Sequence, residues 1–265
     1  MPTNSGSILD IKMIQDSFHQ ETNNSFSIIK NQIKYIKQIS TMYEEIRIAV
    51  EVASAILCFI LLWFMSKPYS LTREGRYLGL PLGFGFLGIS YFVVAIAICI
   101  PNYFGSQLAW LQLLPRTFAF VFLAVTYYFS KALSKKSFLM GNLTISLLFL
   151  ILITSLILVT FSPQLDFESY LTSAFYFRVC NLVCLFYVSI HTLNSHIKNL
   201  ETSTIVIPFG FILLGINQYS IMIWSIDRSL FAFWGALVLR FAALAIFLWV
   251  SYRAFYRSNK QVRVK

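Results

Sequence analysis

Residues 141–161, GNLTISLLFLILITSLILVTF, decide the fold class. The run has no charged side chain, and at about 20 residues it is as long as the hydrocarbon core of a bilayer is thick. The stretch therefore reads as a transmembrane helix, and the rest of the chain repeats the pattern. Of the 265 residues, 57% are apolar and 17% aromatic, and only 12% are charged, against about 25% in a soluble domain. This composition excludes a disordered chain, a collagen, a coiled coil and an ordinary cytosolic enzyme. The fold class expected is all-α, a polytopic seven-transmembrane-helix bundle. Its spans fall at 48–66, 77–100, 107–130, 140–161, 171–192, 203–226 and 229–251.

Loop charge sets the orientation. Lys67, Arg73 and Arg76 follow the first span, and Lys131, Lys135 and Lys136 follow the third. Lys198 follows the fifth, and Arg253, Arg257, Lys260, Arg263 and Lys265 follow the last. The opposite loops carry Arg228 alone, together with Asp166, Glu168 and Asp227. The sequence thus predicts a multi-pass protein of the cell membrane with its N-terminus outside and its C-terminus in the cytoplasm. The positive excess, +10 overall, is an orientation signal, and no nucleic-acid partner is expected. Lys12, Lys30, Lys34, Lys37 and Arg47 precede the first span and oppose this bias locally, so a six-span form with a different N-terminus is the alternative. The start, MPTNSGSILD, lacks a basic region followed by a short apolar core, and no cleavable signal peptide is expected.

Three regions follow: an extracytoplasmic segment over 1–47, the bundle over 48–251 and a basic cytoplasmic tail over 252–265. Residues 1–26 are rich in Ser, Asn and Thr and read as mobile. In residues 27–48, Ile29, Ile33, Ile36, Tyr43 and Ile46 recur near helical spacing. They form either an amphipathic helix on the membrane surface or a solvated stalk. Asn23, Asn24 and Ser25 form a glycosylation triplet.

An internal repeat is expected. Pro81 to Ile89 reads PLGFGFLGI and Pro208 to Ile216 reads PFGFILLGI, with six of nine residues identical at an offset of 127. Arg116 in PRTFAF and Arg240 in LRFAAL continue the echo. Spans one to three and five to seven would then be parallel copies linked by span four and related by an axis along the membrane normal. Gly79, Gly83, Gly85 and Gly88, and likewise Gly210 and Gly215, would let neighbouring helices approach closely. Pro81 and Pro208 are expected to free backbone carbonyls and kink their helices.

Arg116, Arg178 and Arg240 lie inside spans, as does one carboxylate, Glu51. Charged groups at such depth are costly and mark functional sites by default. At about 1.5 Å per residue, the arginines fall between the outer interface and the midplane. Asn217, Gln218, Tyr219, Ser90, Tyr91, Gln112 and Asn181 reach the same layer. The surplus of guanidinium groups suits a small anionic ligand, which Arg116, Arg178, Arg240, Asn217, Gln218 and Glu51 would bind. The competing reading is structural: Glu51, Asp227, amides and free carbonyls satisfy the arginines. Asn217, Gln218 and Gln112 are the first partners expected for Arg240.

No catalytic residue, metal site or cofactor is expected. Span seven has no lysine for a retinal Schiff base, and His191 and His196 share one helix end, which does not suit bis-histidine haem ligation. No HExxH, GxSxG, P-loop or dinucleotide fingerprint occurs. Cys58, Cys99, Cys180 and Cys184 form no CxxC pair.

The stretches LLWFMSKPYSLTREGRYLGLPLGFGFLGISYF, IPFGFILLGINQYSIMIWSID and LRFAALAIFLWVSYRAFYR resemble seven-transmembrane proteins of archaea, ammonia-oxidising lineages in particular, over about residues 50–257. The resemblance implies an archaeal host and carries no established activity. The residues themselves leave three readings, none an enzyme. One is a sensor- or receptor-like bundle that binds its ligand in the outer half of the membrane and signals to a cytoplasmic partner. Another is a small-solute transporter built on the repeat, and the third is an accessory subunit of a membrane complex.

Overall fold

In a computed structural model, the described residues are 44–67, 78–100, 106–130, 135–161, 167–199, 205–227 and 229–262. They form seven helices: α1 (Glu44–Lys67), α2 (Gly79–Cys99), α3 (Ser106–Ser130), α4 (Lys135–Phe161), α5 (Phe167–Asn199), α6 (Val206–Asp227) and α7 (Leu230–Val262). All seven are long and apolar enough to cross a membrane, and each coincides with an expected span. The protein is an all-α seven-helix membrane bundle. Two ends differ from the sequence reading. Helix α5 extends well past residue 192, and α7 runs through most of the basic tail to Val262. Neither stretch contains a Pro or Gly to stop the helix. The 1–26 segment, the glycosylation triplet and nearly all of the 27–48 helix lie outside the described residues.

The described residues from Ile48 onward belong to one compact unit. Within the bundle, α2 packs along α3 and α6 along α7; α3 also meets α4 and α5, and α5 meets α6. Phe59 and Cys58 of α1 rest against Gly88 of α2. Phe84 on α2 meets Phe247 on α7 edge to face, and Phe247 leans on Phe211 of α6, with ring centroids 5.5 and 4.7 Å apart. These rings, with Leu87, Phe120, Leu123 and Leu244, are buried at the centre.

Lipid solvates the outside. In α4 only 17% of the most apolar stretch is buried, against 56% in α2, so α4 lies at the periphery. Its exposed hydroxyls, Thr144, Thr154, Ser155 and Thr160, each donate to the carbonyl four residues earlier, at 2.8–2.9 Å. No polar hydrogen of these groups is left facing hydrocarbon. Where α1 and α7 leave the apolar layer, Lys67 lies 4.2 Å over the Trp63 ring and Arg253 lies 5.5 Å over Trp249. Such cation–aromatic pairs belong at a membrane interface.

The prolines of the repeated motif do not kink their helices. Pro81 is the third residue of α2 and Pro208 the third of α6. In a first turn the missing N–H has no intrahelical partner to lose, so proline there starts a helix. The proline inside a helix is Pro115 of α3. The glycines divide as well. A Cβ on Gly83 would stand 2.8 Å from Leu123, and one on Gly88 3.1 Å from Phe59. One on Gly215 would meet nothing within 4 Å. Close approach at Gly215, which the repeat predicts, does not occur. The shared glycines meet different neighbours, and no atom stands beside Gly215 as Phe59 stands beside Gly88.

Candidate functional site

The candidate site forms where α1, α2, α3 and α7 come together. Arg240 is ten residues into α7, roughly 15 Å along its axis, and is 2% exposed. Its Nη1 donates to Oε1 of Glu51 at 3.2 Å and stands 3.0 Å from Oε2. Glu51 lies near the start of α1 and is buried as well. This ion pair joins the first span to the last.

Tyr91 of α2 lies beneath two cations, buried Arg240 and half-buried Arg116. The Arg240 guanidinium carbon is 4.3 Å from the centre of its ring, and that of Arg116 is 5.2 Å away. Aromatic faces attract cations, most strongly where water is excluded. Arg116, half-buried on α3, is fixed at its other side: its Nε donates to Ser90 Oγ at 3.2 Å, and Ser90 Oγ donates to the Gln112 carbonyl at 2.7 Å. Adjacent residues of α2 thus bind Arg116 in two ways, by hydroxyl and by ring.

The sequence expectation for Arg240 was correct in direction; of the partners the sequence offered, the arginine meets Glu51, named in the structural reading, and not the α6 amides expected first. The arginine points into the bundle, and its partners are Glu51 and Tyr91. Both side-chain atoms of Asn217 lack a hydrogen-bond partner, as does Gln218 Nε2, so these α6 amides do not replace the carboxylate. A formal charge attracts the guanidinium more strongly than an amide dipole does. Asn217 and Gln218 are each 1% exposed. Arg178 is half-buried on α5, the helix that also carries Asn181, and the contacts joining Glu51, Arg240, Tyr91, Arg116 and Ser90 do not include it. Tyr91 is the residue whose importance sequence reasoning underrated; the adjacent polar pair Ser90–Tyr91 in an otherwise apolar span was its signal.

Several fully buried polar atoms of this layer have no protein partner among the described residues. They are Nε and Nη2 of Arg240, the Tyr91 hydroxyl, and the amide groups of Asn181 and Asn217. Buried polar groups are otherwise almost always satisfied. Buried hydroxyls close on their own helices in both halves of the bundle: Ser54 and Thr117 in this layer, and Thr126, Ser189, Thr192 and Ser251 in the opposite half, each donate to a carbonyl of their own helix at 2.7–3.1 Å.

A cavity of about 480 Å³ opens between α3, α4 and α5, bordered by Thr117, Phe118, Leu148, Tyr176, Phe177 and Cys180. Its walls are almost wholly apolar and include none of the clustered charges. Among the described residues no group of three His, Cys, Asp or Glu side chains could hold a metal ion. No known protein family, curated protein or solved structure matches this chain.

Proposed function

We propose that this integral membrane protein is a sensor- or receptor-like bundle that takes a small anionic ligand into the layer around Arg116 and Arg240. On this reading the ligand enters from the extracytoplasmic side, and a helix displacement is passed to a cytoplasmic partner. The observation that carries the reading is the set of fully buried polar atoms in the Arg240 layer without a protein partner among the described residues: its own Nε and Nη2, the Tyr91 hydroxyl, and the amides of Asn181 and Asn217. A transport path for a polar solute needs polar groups through both halves; a receptor needs them in one. Ligand binding would satisfy donors that the fold leaves buried and unpaired, and that difference between bound and unbound states is what can drive a conformational change. The second reading, a small-solute transporter, draws on the similar helix pairs α2–α3 and α6–α7.

The two readings separate in proteoliposomes. For a receptor, a panel of small anions at constant ionic strength should include members that raise the unfolding temperature saturably, with no accumulation of the same anions inside the vesicles. Uptake that depends on the protein would establish the transporter. A panel in which no anion has any saturable effect would remove the anionic-ligand reading.

A further inference from the structure

The pairing of Arg240 is one-sided. Glu51 takes Nη1, and Nε and Nη2 are both buried without a partner. Nε–H and Nη2–H lie along one edge of the guanidinium plane, parallel and spaced as the two oxygens of a carboxylate require. The residue is 2% exposed, so this edge is removed from water, and a hydrogen bond made there is strong. The hydroxyl of Tyr91, whose ring supports the guanidinium at 4.3 Å, is a further buried donor without a partner.

Charge narrows the ligand. Arg116 and Arg240 against Glu51 leave one positive charge on the cluster. In a water-excluded layer, a monovalent anion neutralises it, whereas a divalent anion reverses its sign and pays again for desolvation. The surroundings narrow it further. One and two turns along α1 from Glu51, on the same face, stand Ala55 and Cys58, 2% and 0% exposed. Such walls favour an anion with an apolar end over a fully hydrated inorganic ion.

We infer that the Nε/Nη2 edge of Arg240 is the receptor for a small monocarboxylate, with Glu51 setting the selection for single charge. The inference rests on the anionic-ligand reading above and makes it specific. Because the edge is closed over by packed side chains, a bound carboxylate must part α7 from its neighbours. Occupancy and helix displacement are then one event.

The test uses the full chain in nanodiscs, with acetate, chloride and sulfate as probes at constant ionic strength and the unfolding temperature as readout. Acetate should stabilise the protein saturably, and chloride and sulfate should not. Stabilisation by sulfate with none by acetate would overturn the monocarboxylate assignment while leaving an anion receptor standing. No effect of any of the three, or of the wider anion panel, would overturn both readings. Arg240→Lys keeps the charge and removes the fork, so its acetate midpoint should rise at least about tenfold; an unchanged midpoint would refute the role of the edge. Glu51→Gln adds one positive charge to the cluster and should bring sulfate into the set of stabilising anions. Continued rejection of sulfate by a folded Glu51→Gln protein would refute selection by Glu51. The acetate-against-sulfate comparison needs no variant and decides the main point even if both substitutions impair folding.

Discussion

The helix pairs α2–α3 and α6–α7 begin alike and end differently. Each opens with a proline in the first turn of its first helix, continues through a Gly-Phe step and carries an arginine in its second helix. In the first pair the glycines are filled: Gly83 receives Leu123 and Gly88 receives Phe59. In the second, Gly210 receives the Phe247 ring and Gly215 receives nothing. The arginines diverge in the same way. Arg116 is half-buried with a hydroxyl and an aromatic face; Arg240 is fully buried with a carboxylate. Similar residues in two membrane helices do not fix similar energetics, because the neighbour supplies half of every contact. In lipid, where no hydrophobic drive presses helices together, that neighbour decides which glycines and which charges matter.

The largest effect should come from separating the arginines' partners. Glu51→Leu leaves Arg240 buried beside no counter-charge and should destabilise by about 3–5 kcal/mol. Ser90→Ala removes the hydroxyl that accepts from Arg116 and donates to the Gln112 carbonyl and should cost about 1–2 kcal/mol. Denaturant titration of both variants in detergent measures the gap, and equal effects would erase the distinction between the two arginines. The double variant Glu51→Leu/Arg240→Leu should recover much of the lost stability, because an apolar pair leaves no unmatched charge.

The glycines come next. Gly83→Ala forces a methyl toward Leu123 and the Ala119 carbonyl, 3.2 Å away, and should destabilise by about 1–3 kcal/mol. Gly215→Ala should lie within about 0.5 kcal/mol of the parent. Thermal unfolding of the two variants side by side checks the contrast; a large loss at Gly215 would restore the equivalence that the shared motif suggests. Gly210→Ala should cost about as much as Gly83→Ala, since the Phe247 ring can move only against Phe84 and Phe211. The smallest effect belongs to α4: Thr154→Val, whose hydroxyl bonds only its own helix, should change stability by less than about 0.5 kcal/mol in the same assay.

These contrasts mark what was legible in the sequence. The spans were, because 20 apolar residues in a row have no other solvent than lipid; residues 141–161 sufficed for the class. The intramembrane position of Arg240 and Glu51 was legible for the same reason. Their pairing was legible only as one alternative among several, because sequence spacing reports neighbours along one helix, and the contact joins different helices. Pro81 and Pro208 were misread because the start of each helix falls two residues before the proline, and the apolar pattern blurs such boundaries. Gly215 was misread because a glycine signals that a side chain is absent without telling what stands opposite.

The Glu51–Arg240 contact spans 189 positions of the chain, which gives it a meaning in time. Glu51 is made with the first helix and Arg240 with the last. At about 5–20 residues per second of synthesis, the carboxylate waits roughly ten to forty seconds for its partner. Throughout that interval the nascent bundle holds an acid that lipid rejects, and the arrival of α7 removes it. A chain arrested before α7 would keep that carboxylate without its guanidinium. The ion pair therefore sets an order on assembly: α1 cannot reach its final electrostatic state until α7 has packed beside it.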